Sequence, residues 1–138
     1  MSGIEEMRAL TLWQPWASWI IYADKRFENR PWRPPRQIIG QRIAIHAGRR
    51  FDKSATYHGV QKYIGEWRLD RGAIIGSAVV VGVLTAGSAG AKDPWFFGPY
   101  GWELEDVRDL QNPIPYRGML GLWRVPPEIA AIIRASAL

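Results

Sequence analysis

The stretch from Ala73 to Thr85 restricts the fold more than any other part of the chain. It reads AIIGSAVVVGVLT, apolar almost throughout and rich in β-branched side chains. A half-solvated strand alternates apolar and polar positions, whereas a continuous run needs cover on both faces and belongs in the middle of a sheet. The run is interrupted by Gly76, Ser77 and Gly82 and is too short to span a bilayer. The chain must therefore build other strands on either side of this one and cover the result.

The rest of the sequence supplies them. Arg8 to Trp13 alternates enough for a short strand, and Gln14-Pro15 opens a helix that places Trp16, Trp19 and Ile20 on one face and runs to about Ala23. Arg26 to Arg30 is a strand stub with Phe27 inward, and Pro31, Pro34 and Pro35 enforce an extended loop. Arg42 to Ala47 alternates cleanly, and Asp52 to Trp67 has helical character weakened by Gly59 and Gly65. Gly87 to Gly98 is a loop. Trp102 to Glu105 and Val107 to Leu110 read as two strands, and Pro113 to Tyr116 as an edge strand or turn. Gly121 to Val125 is a last strand, and Pro126-Pro127 starts a closing helix. Many short strands with Gly and Pro turns predict an α+β, mainly β fold: a small, largely antiparallel barrel with three helices around it. Its 138 residues are expected to form one domain. The expected core includes Trp13, Ile43, Ile45, Ile75, Val79, Val81, Leu122 and Trp123.

Charge narrows the partner. Residues 25–50 hold eight basic groups (Lys25, Arg26, Arg30, Arg33, Arg36, Arg42, Arg49, Arg50) against one acid, Glu28. Fourteen of the eighteen cations in the chain are Arg, whose planar fork grips phosphates and stacks on rings. An anionic partner is favoured over plain solvation, with the block forming one positive face. Eight Trp fit the same reading; Trp32 and Trp95, in loop-like surroundings, are candidate stacking platforms. The absence of cysteine excludes disulfide scaffolds, thiolate metal sites and cysteine nucleophiles. Two histidines, His46 and His58, make a poor metal set, so no metal and no cofactor are expected. An acidic start, MSGIEE, lacks the basic region of a signal peptide, and a cytoplasmic location away from membranes is expected.

Three segments together carry a family resemblance: Leu12-Trp-Gln-Pro-Trp-Ala17, the spacing Ala23-x-Lys25-x-x-Glu28-x-Arg30, and Gly72-Ala-Ile-Ile-Gly76. With Trp102 through Pro115, Gly118, Gly121-Leu-Trp123 and Pro127, they resemble bacterial ASCH domains, an RNA-associated family with a PUA-like β-barrel. The family pattern has Gly where Ala23 stands, a difference that matters only if the position needs a positive φ. The resemblance implies a positive cleft between barrel and first helix, lined by Lys25, Glu28 and Arg30, that accepts RNA or a modified nucleotide. A branch of the family hydrolyses acetylated cytidine with Lys, Thr and Glu. Lys25 matches that Lys, but Glu28 stands where the Thr would be. A ribonuclease activity has also been proposed in the family.

The residues allow two readings of their own. On a strand, Glu28 and Arg30 share a face with Lys25 close by, so the trio can hold a phosphate and a base edge or form a salt-bridge network closing the barrel mouth. The binding set expected for RNA or single-stranded nucleic acid is Lys25, Glu28, Arg30, Trp32, Arg33, Arg36, His46, Arg49 and Arg50. In a hydrolase acting on a modified nucleoside or on RNA, Lys25 and Glu28 would be catalytic. A protein-interaction domain is a third class. His46 is either a packed core histidine or part of the cleft wall, Ser18 a candidate ligand donor, and the 87–98 loop a lid or a connector. Glu28 is expected on a rim, where it contributes little to stability. Glu103, Glu105, Asp106 and Asp109 are expected to pair with Arg108 or Arg117.

Overall fold

The computed structural model describes residues 6–58, 69–88 and 92–136. Its elements are β1 (Arg8–Gln14), α1 (Trp16–Tyr22), β2 (Phe27–Arg30), β3 (Arg42–Phe51), β4 (Ala73–Thr85), β5 (Tyr100–Pro115), β6 (Trp123–Arg124) and α2 (Pro127–Ser136), with 3-10 turns at Arg36–Ile38 and Lys53–His58. The six strands form one sheet in the order β2-β5-β4-β3-β1-β6, with the apolar β4 inside it as its composition requires. All neighbours are antiparallel except β1 and β3. That parallel pair needs a long crossover, which α1 and β2 supply.

The sheet is open, not the closed barrel expected, because β2 and β6 end it as separate edges. Both are short, of four and two residues. Pro31 after β2 and Pro126-Pro127 after β6 cannot donate to a ladder, which limits their growth. The Arg30 guanidinium on β2 reaches across to β1 and donates to the carbonyl of Thr11 at 3.2 Å.

Strand alternation sorts the core onto two faces. Leu10, Leu12, Ile43, Ile45, Ile75, Val80, Trp102 and Leu104 pack with Ala17, Ile20 and Ile21 of α1. Ala9, Ala44, Ile74, Leu110 and Trp123 pack with Ala130 and Ile133 of α2 on the other. Trp13 departs from its expected burial and is 47% exposed. It has the parity of Ala9 but lies farther along β1, beyond the part of the face clustered with α2. Val79 and Val81 are half-buried because they alternate with Val80, which takes the α1 face, and Leu122 is half-buried at the margin of that same cluster.

Three element boundaries also differ. The two strands expected after residue 100 are one long β5, whose register against β4 shifts three times. At one shift Asp106 adopts φ +47°, a conformation Asp tolerates better than most residues. The Pro113–Tyr116 segment is mostly the end of β5, pairing through Ile114 and Pro115 with β4. The 52–67 helix is a 3-10 turn through His58, and residues 59–68 lie outside the described residues. No described helix is long and apolar enough to cross a membrane.

Candidate functional site

The end of α1 sets up the Lys25 cluster. Arg26 donates to the carbonyls of Ile20 and Ala23 at 3.0 Å each, closing the helix C-terminus with a cation. The chain then turns Lys25 inward, leaving it 2% exposed. Its ammonium donates to the Phe27 carbonyl, lies 3.5 Å from Glu28 Oε1 and sits 5.8 Å from the Trp16 ring centroid. The other Glu28 oxygen lies 3.0 Å from Arg30 Nε. That contact is ionic, because the Nε proton is not aimed along a hydrogen bond. One carboxylate thus serves two cations. Burial pushes the Lys25 pKa below its ordinary value, the attraction of Glu28 pulls it back up, and repulsion from Arg30 adds a smaller downward push.

Glu28 is not on a rim. It is 9% exposed, so removing it would strand buried positive charge. Lys25 and Glu28 do share one concave site, a cavity of about 260 Å³ walled by Trp16, Asn29, Asp52, Ser54 and Phe97. This is slightly below the roughly 300–1,000 Å³ of small-molecule pockets, room for a base-sized group. The walls are fixed by hydrogen bonds. Trp16 Nε1 donates to Asp52 at 2.7 Å, and Asp52 accepts from the backbone and hydroxyl of Ser54. Asn29 donates to the Trp95 carbonyl and accepts from the amides of Phe97 and Gly98, while Trp95 packs 5.0 Å from Trp19. The described part of the 87–98 loop is therefore pinned beside the cavity. Trp95 itself is partly buried against Trp16 and Trp19.

The other residues singled out in the sequence divide between regions. Trp32 packs edge-on against Trp102 at 5.0 Å, Arg33 lies 5.0 Å from the Tyr100 ring, and Arg36 is exposed on its 3-10 turn. Arg42 leaves the basic set because Asp106 holds it, together with the Ser77 hydroxyl; Asp106 also pairs with Arg108. Ser18 is fully buried and bonded to Gln14, which removes it as a ligand donor. The basic block is consequently not one continuous face: Arg26 binds backbone, Lys25 and Arg30 flank Glu28, and Arg42 is neutralised.

His46, Arg49 and Arg50 lie instead on a hollow of about 760 Å³ that also includes Trp13, Tyr116 and Arg117. His46 is fully buried; its Nε2 lies 2.7 Å from the Tyr116 carbonyl and its ring packs edge-on against Trp123. Burial lowers its pKa and favours the neutral ring, with the Tyr116 bond pulling weakly the other way. Trp13 was missed as a surface residue. The available signal was Gly48 inside a strand pattern, which marks a bulge or close backbone approach. Among the described residues, no group of three or more carboxylates and histidines is placed to hold a metal ion.

The ASCH domain profile matches residues 10–115, from β1 through the whole of β5. The chain belongs to the ASCH domain family. Among solved structures it is similar to an ASCH protein from Zymomonas mobilis, with TM-score 0.59 and 17% identity over 94% of each chain. Two variants of that protein align comparably: TM-score 0.58 and 16% identity over 95% of this chain and 98% of the other, and TM-score 0.54 and 16% identity over 94% of both. At these identities the likeness concerns the fold. No curated protein matches the chain in sequence. Ala23 has a φ of −135°, so the position does not need the positive φ that would favour the Gly of the family pattern.

Proposed function

We propose that this ASCH domain binds RNA or another single-stranded nucleic acid and seats a base in the cavity beside α1. The observation that carries the reading is the composition of that cavity. A carboxylate and an ammonium face each other in a base-sized space walled by Trp16 and by the half-exposed Phe97. Glu28 offers acceptors to amino and imino groups of a base edge, Lys25 offers a donor, and aromatic walls suit a flat ring. RNA association at the level of the family supports the same reading. Titration with a panel of nucleosides and short RNA oligomers tests it. Saturable binding, weakened by about 1–3 kcal/mol in Glu28→Gln through loss of a charge-assisted hydrogen bond, is the expected outcome. Absence of saturable binding across the panel would refute it.

One feature favours a second reading, a small hydrolase acting on a modified nucleoside. Lys25 is pushed toward its neutral form by burial and stands beside a carboxylate, as a general base would. Metal-free turnover of acetylated cytidine, abolished by Lys25→Met in a folded variant, would establish it; a lack of turnover in the wild type would end it.

A further inference from the structure

The hollow on the outer face of β1 is built by a local irregularity in the sheet. β1 and β3 pair as Leu12↔Ala47 and then as Gln14↔Phe51, so Trp13 alone faces Gly48, Arg49 and Arg50. The extra length on β3 makes a bulge, and bulges re-aim side chains at sheet margins and beside functional sites. It explains why Arg49 and Arg50, which would point to opposite faces of a regular strand, line the same hollow. Close packing holds the bulge. A Cβ on Gly48 would come within 3.0 Å of the Thr11 methyl, and one on Gly72, at φ +68°, within 3.2 Å of the Arg49 guanidinium.

The chemistry of the hollow is one-sided. Among the described residues its lining contains Arg49, Arg50 and Arg117 and no carboxylate. Among the described residues, no acid lies within ion-pair distance of these three or of neighbouring Arg71, in contrast to Arg8, Arg30, Arg42, Arg108 and Arg124. The Arg50 guanidinium lies 5.4 Å from the Trp13 ring centroid, while Trp13 stays 47% exposed. Three arginines with no acid partner among the described residues, set around an accessible indole, match alternating phosphates and bases, the repeat of a single strand.

We propose that this hollow is a second single-strand site, separate from the Lys25 cavity, in which Trp13 stacks a base and Arg49 and Arg50 hold the flanking phosphates. The proposal rests on the nucleic-acid reading above and adds a place for the strand that the base-sized cavity does not provide. Because Arg50 already lies against the indole, an incoming base would complete a stack rather than create one.

The test compares wild type, Arg49→Gln/Arg50→Gln and Trp13→Ala on a single-stranded oligouridylate of about 12 nucleotides, a length long enough for an extended site. Salt is varied between 50 and 200 mM, and thermal melting of each variant confirms folding, as expected for exposed side chains. Loss of two phosphate contacts should make the log–log salt slope shallower by about 1.4. Loss of one stacked base should weaken binding about 5- to 150-fold in Trp13→Ala, with Trp13→Phe restoring most of it. Wild-type binding with an unchanged slope in the arginine variant and unchanged affinity in Trp13→Ala would overturn this site alone. No binding by the wild type would overturn the nucleic-acid reading and this site with it.

Discussion

The Lys25 cavity and the Trp13 hollow draw on the same stretch of sequence and use its charge in opposite ways. In the cavity, Lys25 is 2% exposed and shares Glu28 with Arg30, so charge is buried and paired. In the hollow, Arg49 and Arg50 are exposed and face no acid among the described residues. Buried charge depends on its partner, because desolvation has already been incurred and only pairing offsets it. Exposed charge is solvated without a partner and is free to meet a ligand. Local net charge therefore does not locate a binding surface. The positions of the few carboxylates, Glu28 and Asp106 above all, decide which cations are available.

The largest expected effect falls on the cavity. Glu28→Ala should destabilise the fold by about 3–5 kcal/mol, the scale for removing one partner of a buried ion pair, measured as a shift in denaturant midpoint. Adding Lys25→Met should recover part of the loss by removing one stranded charge. A Glu28→Ala protein as stable as wild type would mean that the buried cations do not depend on this carboxylate.

The next effect is a pH dependence. The Lys25 pKa is depressed in the fold below its ordinary 10.5. Between the folded and the ordinary value the unfolded chain holds more protons, so the Lys25 contribution to stability rises with pH until about 10.5. Lys25→Met should flatten that rise in denaturation series taken from neutral to alkaline pH; an equal rise in the variant would remove Lys25 as its source.

His46 gives a smaller effect with an acid-side window. Its folded pKa lies below the ordinary 6.5, so its contribution is fully present above 6.5 and is lost as pH falls through the folded value. His46→Asn should lessen the loss of stability on acidification. An unchanged acid limb would rule out the histidine as its cause.

The smallest expected effect is the most informative about the hollow. Arg49→Gln/Arg50→Gln should leave stability within about 0.5 kcal/mol of wild type, as surface changes away from special features do. A large loss in melting experiments would mean that these side chains hold the bulge in place instead of serving a ligand.

Much of the fold was legible because local pattern and tertiary demand agree. The unbroken apolar run became the inner strand β4, and alternating Ile43 and Ile45 point into the α1 core. The Lys25-x-x-Glu28-x-Arg30 spacing also brought its three residues together. Its burial was not legible, since the cover comes from afar: the wall loop is tied to Asn29 by bonds spanning 66 to 69 residues. Trp13 was misread because an aromatic in an alternating strand gives no sign of where the covering helix ends. The hollow escaped because Arg49 and Arg50 share it only through a two-residue register slip against β1, to which Gly48 was a faint pointer.

The most direct measurement is the affinity of the wild-type protein for single-stranded RNA across 50–200 mM salt. With four or five phosphates neutralised by exposed arginines, a log–log slope of about −3 is expected. A flat response would contradict it, leaving the arginines of the hollow as solvated surface charge.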